Sequence, residues 1–415
     1  MISILLANDY ADWETITDMN EVHDIAFDEN LAWVATSGGI YSYNLSDSQI
    51  TRYTNLDGLS SINNNTLEID DHGYIIAGGS DGILEFYSKE TKKWSQLTVL
   101  IENSISDILY INDTLWVAAG KGIAVIPWNG SEYVFKDFYK NFDIIPNRVT
   151  KIAYFMKKIW LGTDKGLLSA PTDINKYTLN DPENWNYYSM QNNQPYDVLD
   201  IEEIDNSLWV GRRKGLINID QKFNFTILDK WGDNPAGNII KFNKRILISD
   251  IQNRLFEYDF QQGRVFQRTF RSNIKCMEKD LNGKLYIGLE NEGIYQNKLD
   301  KYIILDGPSD NDIRVVIKDS KSNIWVSTGK FRYYTGKGFF IFDGNGWKHF
   351  DFSGTGWNQM GNTDYISEDN YGNIWICTWG GGLIAMHDDE FSYFHNFNTP
   401  GKLLLWELDE YNQIN

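Results

Sequence analysis

The sequence predicts an all-β protein, a β-propeller built from about nine four-stranded blade repeats of ~43 residues. Three observations carry that prediction. A short pattern recurs along the chain at separations of 38–49 residues: an apolar pair with Trp, a small residue or two, then Gly followed by an apolar residue. The composition pairs 15 Trp, 24 Tyr and 22 Phe with 34 Gly and only 8 Pro, as expected of many short strands joined by tight turns. No segment has the apolar periodicity of a helix.

The copies fall in order. Trp33-Val34-Ala35-Thr36 leads to Gly39-Ile40, and the weaker Ile75-Ile76-Ala77-Gly78 leads to Gly82. Trp116-Val117-Ala118 leads to Gly122-Ile123, Trp160-Leu161-Gly162-Thr163 to Gly166-Leu167, and Trp209-Val210-Gly211 to Gly215-Leu216. Ile246-Leu247-Ile248 is degenerate, with Asn253 in place of the glycine, and Tyr286-Ile287-Gly288 leads to Gly293. Trp325-Val326-Ser327-Thr328 and Trp375-Ile376-Cys377-Thr378 complete the series, ending at Gly338 and Gly382. The Trp segment is strand b of a blade, apolar throughout because neighbouring blades cover both its faces. Strand a precedes it across a polar turn such as Asp70-Asp71-His72-Gly73, and strand c follows the glycine. Strand d often opens on an aromatic residue, as at Trp13, Trp94, Trp185 and Trp347. Ten of the 15 Trp thus have places set by the repeat and are expected in the core.

Nine units exceed the four to eight blades usual for one ring. The expected organisation is a propeller of about seven units over residues 13–306, with 307–415 holding further blades that start a second, truncated propeller. Residues 1–12 read as the remnant of a signal peptide plus a tail, Met1 to Ala7 being apolar ahead of Asn8-Asp9. A frayed N-terminal tail is the alternative. No apolar run is long enough to span a membrane. The formal charge of −19 argues against nucleic acid and anionic membrane as partners. Two cysteines make neither a disulfide scaffold nor a metal motif.

The Trp strand, the Gly-Leu/Ile step and the loop Asn55-Leu56-Asp57-Gly58-Leu59-Ser60-Ser61 together resemble the two-component regulator propeller repeat, found in periplasmic ligand-binding sensors of hybrid histidine kinases. The first units, with Val22 to Ala26, Trp33 to Thr36 and Ile50-Thr51-Arg52-Tyr53, are also similar to the N-terminal propeller of the PorZ-like surface proteins associated with type IX secretion. The resemblance spans most of residues 13–395. It implies an extracytoplasmic (periplasmic or cell-surface) location, and a second propeller, a sorting domain or a kinase beyond Asn415.

Loops on a rigid scaffold carry binding function, and loop length points to one end of the blades, that of the b–c turns and d–a connections. In unit eight the b–c turn grows to include Arg332, Tyr333 and Tyr334, the next d–a connection holds Trp357, and Trp379 sits in the b–c turn of unit nine. These residues suit stacking on a sugar ring or gripping a partner protein. Arg212 and Arg213, followed by Lys214, form the strongest basic cluster and could hold a carboxylate or sulfate at the same end. A solvated turn balancing nearby acids is the plainer reading. The stretch from Arg264 to Arg271 is expected to be an exposed strand face. Asp280 to Gly283 and Glu368 to Asn373 lack the spacing of a calcium loop and are read as turns. No metal site, cofactor or catalytic residue is expected. His387-Asp388-Asp389-Glu390 fits an exposed c–d turn, and no nucleophile or phosphate motif occurs.

The functional expectation is a non-enzymatic extracytoplasmic binding module, sensor-like, recognising a glycan or other envelope ligand through its b–c and d–a loops. The alternative is a protein-interaction scaffold in type IX secretion. A propeller polysaccharide lyase or hydrolase ranks below both.

Overall fold

The computed structural model describes residues 14–189, 196–329, 337–350, 363–378, 382–387 and 390–394. They form nine four-stranded antiparallel sheets, each with its strands a to d side by side in chain order. Blades 1 to 9 run over 22–53, 64–97, 105–139, 149–188, 198–227, 239–269, 274–303, 313–350 and 363–394. The only helices among the described residues are three-residue 3₁₀ turns. The protein is a β-propeller, and each repeat seen in the sequence is one blade.

The glycine that marks the repeat has a steric cause. Gly39 and Gly293 have φ of +128° and +63°, and a Cβ there would lie 2.5 and 2.1 Å from the strand-d carbonyls of Tyr53 and Ile303. Only glycine lets strand c start so close to strand d. Two kinds of a–b turn occur in blades 2 to 9. Blades 3 to 6 use two residues, both at positive φ, as at Asn112-Asp113 and Met156-Lys157. Blades 2, 7, 8 and 9 use an aspartate whose Oδ1 accepts two backbone N–H groups of the turn or of the strand after it. For Asp280 these come from Asn282 and Lys284, at 2.9 and 2.8 Å, and for Asp369 from Tyr371 and Asn373, at 2.9 Å each. The acids considered as calcium ligands are turn-formers.

Every strand a except that of blade 6 carries a bulge at its second residue, such as His23 between Val22 and Asp24. In blades 1 to 4 the bulged side chain donates to a backbone carbonyl of the next blade. His23 Nδ1 donates to the Asn64 carbonyl at 2.8 Å, Asn65 Nδ2 to Ile105 (2.8 Å), Ser106 Oγ to Val149 (2.7 Å) and Thr150 Oγ1 to Val198 (3.0 Å). In four of these strands an acid one to three residues beyond the bulge accepts from strand a of the next blade. Asp24 takes the Leu67 N–H, Glu68 that of Tyr110, Asp107 that of Ile152 and Asp200 that of Ile239, at 2.7–3.1 Å. Lys151 pairs with Asp107 at 3.2 Å. Burial pushes the carboxyls of Asp200, Glu68 and Glu202 up, to about 6, 7 and 8.

The chain divides into two compact units. One holds Met19–Leu305, with blades 1 to 7; the other joins Ile16–Asp18 to the residues from Asp306 onward, with blades 8 and 9. In the first unit blade 7 packs back on blade 1: Val22, Ile25 and Tyr41 share one core with Cys276, Tyr286 and Ile294. Asn20 fastens this closure. Its carbonyl accepts the Gly293 N–H (2.9 Å), its Nδ2 donates to the Leu305 carbonyl (2.9 Å) and its Oδ1 accepts the Leu305 N–H (2.8 Å). In the second unit Asn311 grips Asp18 likewise, accepting its N–H at 2.8 Å and donating to its carbonyl at 3.1 Å.

Candidate functional site

Five residues singled out by loop length, Arg332, Tyr333, Tyr334, Trp357 and Trp379, lie outside the described residues. Arg212 and Arg213 lie within them, and strand geometry separates the two. Arg212 ends strand b of blade 5 (Ser207–Arg212) and points inward, only 5% exposed, with its guanidinium 5.5 Å from the centre of the Tyr196 ring. Burial lowers its pKa. Its backbone is held from both sides, Arg212 N–H donating to Gly215 (3.1 Å) and its carbonyl accepting from Ala236 (2.9 Å).

Arg213 opens the b–c turn and points out. Its Nε donates to Asp197 Oδ2 at 2.9 Å, and Arg148, from the connection into blade 4, lies 3.4 Å from Asp197 Oδ1. Both arginine side chains are about half exposed while Asp197 is 18% exposed. Nearby, Asp164 is occupied by Asn147. Its partial burial is outweighed by hydrogen bonds from Asn147 and Arg148, which hold its carboxyl below the usual value. Two guanidinium groups thus share one carboxylate, and each keeps N–H donors beyond that bond. Such an arrangement can accept an incoming carboxylate, sulfate or phosphate.

The second basic stretch differs from expectation. Arg264 lies 4.4 Å from the centre of the Phe256 ring and 5.6 Å from that of Trp231, while Arg268 lies 4.4 Å from that of Tyr295 and 2.7 Å from Asp300. These guanidinium groups cover aromatic rings and are only partly exposed. Among the described residues no group of three or more His, Cys, Asp and Glu is placed to hold a metal ion. Nor is any helix among them long and apolar enough to cross a membrane.

The other end of the blades holds an aromatic group that loop length did not flag. His72, in the a–b turn of blade 2, stacks on Trp128 of blade 3 with ring centres 4.3 Å apart and planes 13° apart. His72 Nε2 bonds Asp113 Oδ1 (3.1 Å), Tyr110 donates to the same oxygen (3.0 Å), and Tyr133 donates to Asp70 (2.7 Å). The one sequence signal was Trp128 itself, a Trp to which the repeat gives no place.

No family model matches the chain, and no curated protein matches it. Similarity appears among solved structures. PorZ, an essential bacterial surface component of the type IX secretion system of Porphyromonas gingivalis, superposes with a TM-score of 0.72 at 16% identity, over 93% of this chain and 54% of that one. The extracellular domain of the one component system BT4673 from B. thetaiotaomicron gives 0.55 at 17% identity, over 93% and 54%. That of the hybrid two component system BT3049 gives 0.53 at 17%, over 92% and 65%. The chain therefore spans about half the length of the first two, and it shares its β-propeller fold with both groups of proteins that its repeat resembles.

Proposed function

We propose that this chain is a non-enzymatic binding module acting outside the cytoplasm, which recognises a glycan or other envelope ligand through its b–c turns and d–a connections. The observation that carries the reading is the Arg148–Asp197–Arg213 arrangement, a pair of forked donors sharing one carboxylate at the b–c end of blades 4 and 5. The fold, shared with extracellular domains and a surface protein, supports it. Arg212 would position this turn from beneath, and Arg332, Tyr333, Tyr334, Trp357 and Trp379 are proposed separately as stacking groups in the loops of blades 8 and 9. The test is retention of envelope glycans and envelope proteins by the immobilised chain and by Arg213→Ala, Tyr333→Ala and Trp357→Ala variants that melt normally. Retention unchanged in all three sinks the reading.

A protein scaffold in surface secretion is the second reading, favoured by the TM-score of 0.72 with PorZ. A captured envelope protein with no captured glycan would select it.

We also propose that blades 8 and 9 open a second ring. Ile366 of blade 9 is fully buried against blade 8, whereas Ile313 and Val316 of blade 8 are 44% and 57% exposed. An inner strand so exposed calls for another blade. A longer chain in which Val316 becomes protected from solvent would support this; one in which it stays exposed would refute it.

A further inference from the structure

We propose that a cleft between blades 3 and 4, at the a–b/c–d end, binds a neutral mono- or disaccharide. This goes beyond the loop-face reading and does not rest on it. The cleft measures about 440 Å³, within the ~300–1,000 Å³ range of small-molecule sites. Trp128, stacked on His72 of blade 2, lines it together with the blade-4 segment Thr172–Asn175. The histidine stack and the Asp113–Tyr110 bonds hold the Trp128 indole before any ligand arrives. Trp116 lies at the floor, 1% exposed. The equivalent indoles of blades 4, 8 and 9 donate to Phe155 O (3.2 Å), Asp319 Oδ2 (2.8 Å) and Asp369 Oδ2 (2.8 Å). Trp116 Nε1 has no acceptor among the described residues.

The chemistry around the cleft selects the ligand. Asp113 Oδ2 and Asp173 Oδ2 carry no hydrogen bond among the described residues, so each can accept one from a hydroxyl. Lys136 Nζ, already 3.3 Å from the Ile174 carbonyl, is a donor on the rim. A purely apolar ligand would desolvate two carboxylates without replacing their bonds. An anion would meet both carboxylates against a single lysine. A pyranose satisfies the set: its C–H face lies on an indole and its hydroxyls both donate and accept.

The test follows the ¹⁵N-indole signals of Trp116 and Trp128 in the 415-residue chain while glucose, galactose, N-acetylglucosamine, maltose, cellobiose or glucuronate is added. At least one neutral sugar is expected to shift both signals saturably. Glucuronate should bind at least about tenfold more weakly, a difference of about 1.4 kcal/mol. Trp128→Ala should abolish the Trp116 shift. Because that variant also removes the histidine stack, Asp173→Asn provides a second check. It keeps the turn oxygen that accepts from Asn175 and Lys176, and it should weaken binding by about tenfold. No saturable shift with any neutral sugar overturns the proposal. So does glucuronate binding as tightly, or affinity unchanged in Asp173→Asn.

Discussion

The inner strands of blades 1 and 8 have the same bulge and the same spacing of apolar residues, yet their burial is opposite. Val22 and Ile25 are 0% and 3% exposed, where Ile313 and Val316 are 44% and 57%. Both strands pair normally with their own strand b. The difference lies in what precedes them. Blade 7 covers the first pair with Cys276, Tyr286 and Ile294, while Val316 is left in solvent. Blade stability therefore divides into a part made by the sheet itself and a part supplied by a neighbour.

The largest effect expected from that division is at Ile25. Ile25→Ala should cost about 2–5 kcal/mol in urea unfolding, while Val316→Ala should stay within about 0.5 kcal/mol. Equal costs would break the comparison. Gly293→Ala should come next, at about 3 kcal/mol, from the clash with Ile303 and the positive φ. Asn20→Ala, which removes both side-chain bonds to Leu305 and leaves blades 1 and 7 otherwise intact, should cost about 1–3 kcal/mol.

A smaller effect should appear with pH. The carboxyls of Asp24, Glu68, Asp107, Asp200, Glu202 and Glu278 are all raised by burial. The folded chain therefore holds more protons than the unfolded one between about pH 4 and pH 8, and stability falls as pH rises through that window. The raised pKa of Lys151, caused first by Asp107, adds stability that is constant there and is lost only in strong alkali. Asp164, held low, matters only in acid. Tm measured at pH 5.5 should exceed that at pH 8, and Glu202→Gln should flatten the upper half of the curve. A Tm that rises toward pH 8 would contradict this account. Least of all, Lys157→Gly should gain about 0.5 kcal/mol by relieving φ of +60° in a two-residue turn.

The blades could be read from the sequence because each marker has a local cause. Glycine sits where strand c would strike the strand-d carbonyl, and Trp33, Trp116 and Trp160 sit where neighbouring blades cover strand b. The bulge contacts could not be read. His23, Asn65, Ser106 and Thr150 share no residue type, only a donor at one place in the strand. Arg212 and Arg213 looked alike as a basic pair, but strand alternation sends one inward and one out. Arg264 and Arg268 looked exposed because the rings beneath them come from other strands and connections. The His72–Trp128 stack joins residues from two blades, beyond the reach of any pattern confined to one repeat.

The bulge contacts have a consequence for how such a chain can change length. Each giver is a side chain and each receiver a backbone carbonyl, always one blade further on. A backbone carbonyl is the same whatever residue bears it. These four bonds therefore do not depend on the identity of the successor, and a duplicated blade inserted among blades 1 to 5 would offer its predecessor the same carbonyl. Growth by copying whole repeats leaves this set of bonds intact, whereas losing part of a repeat would break it on two sides.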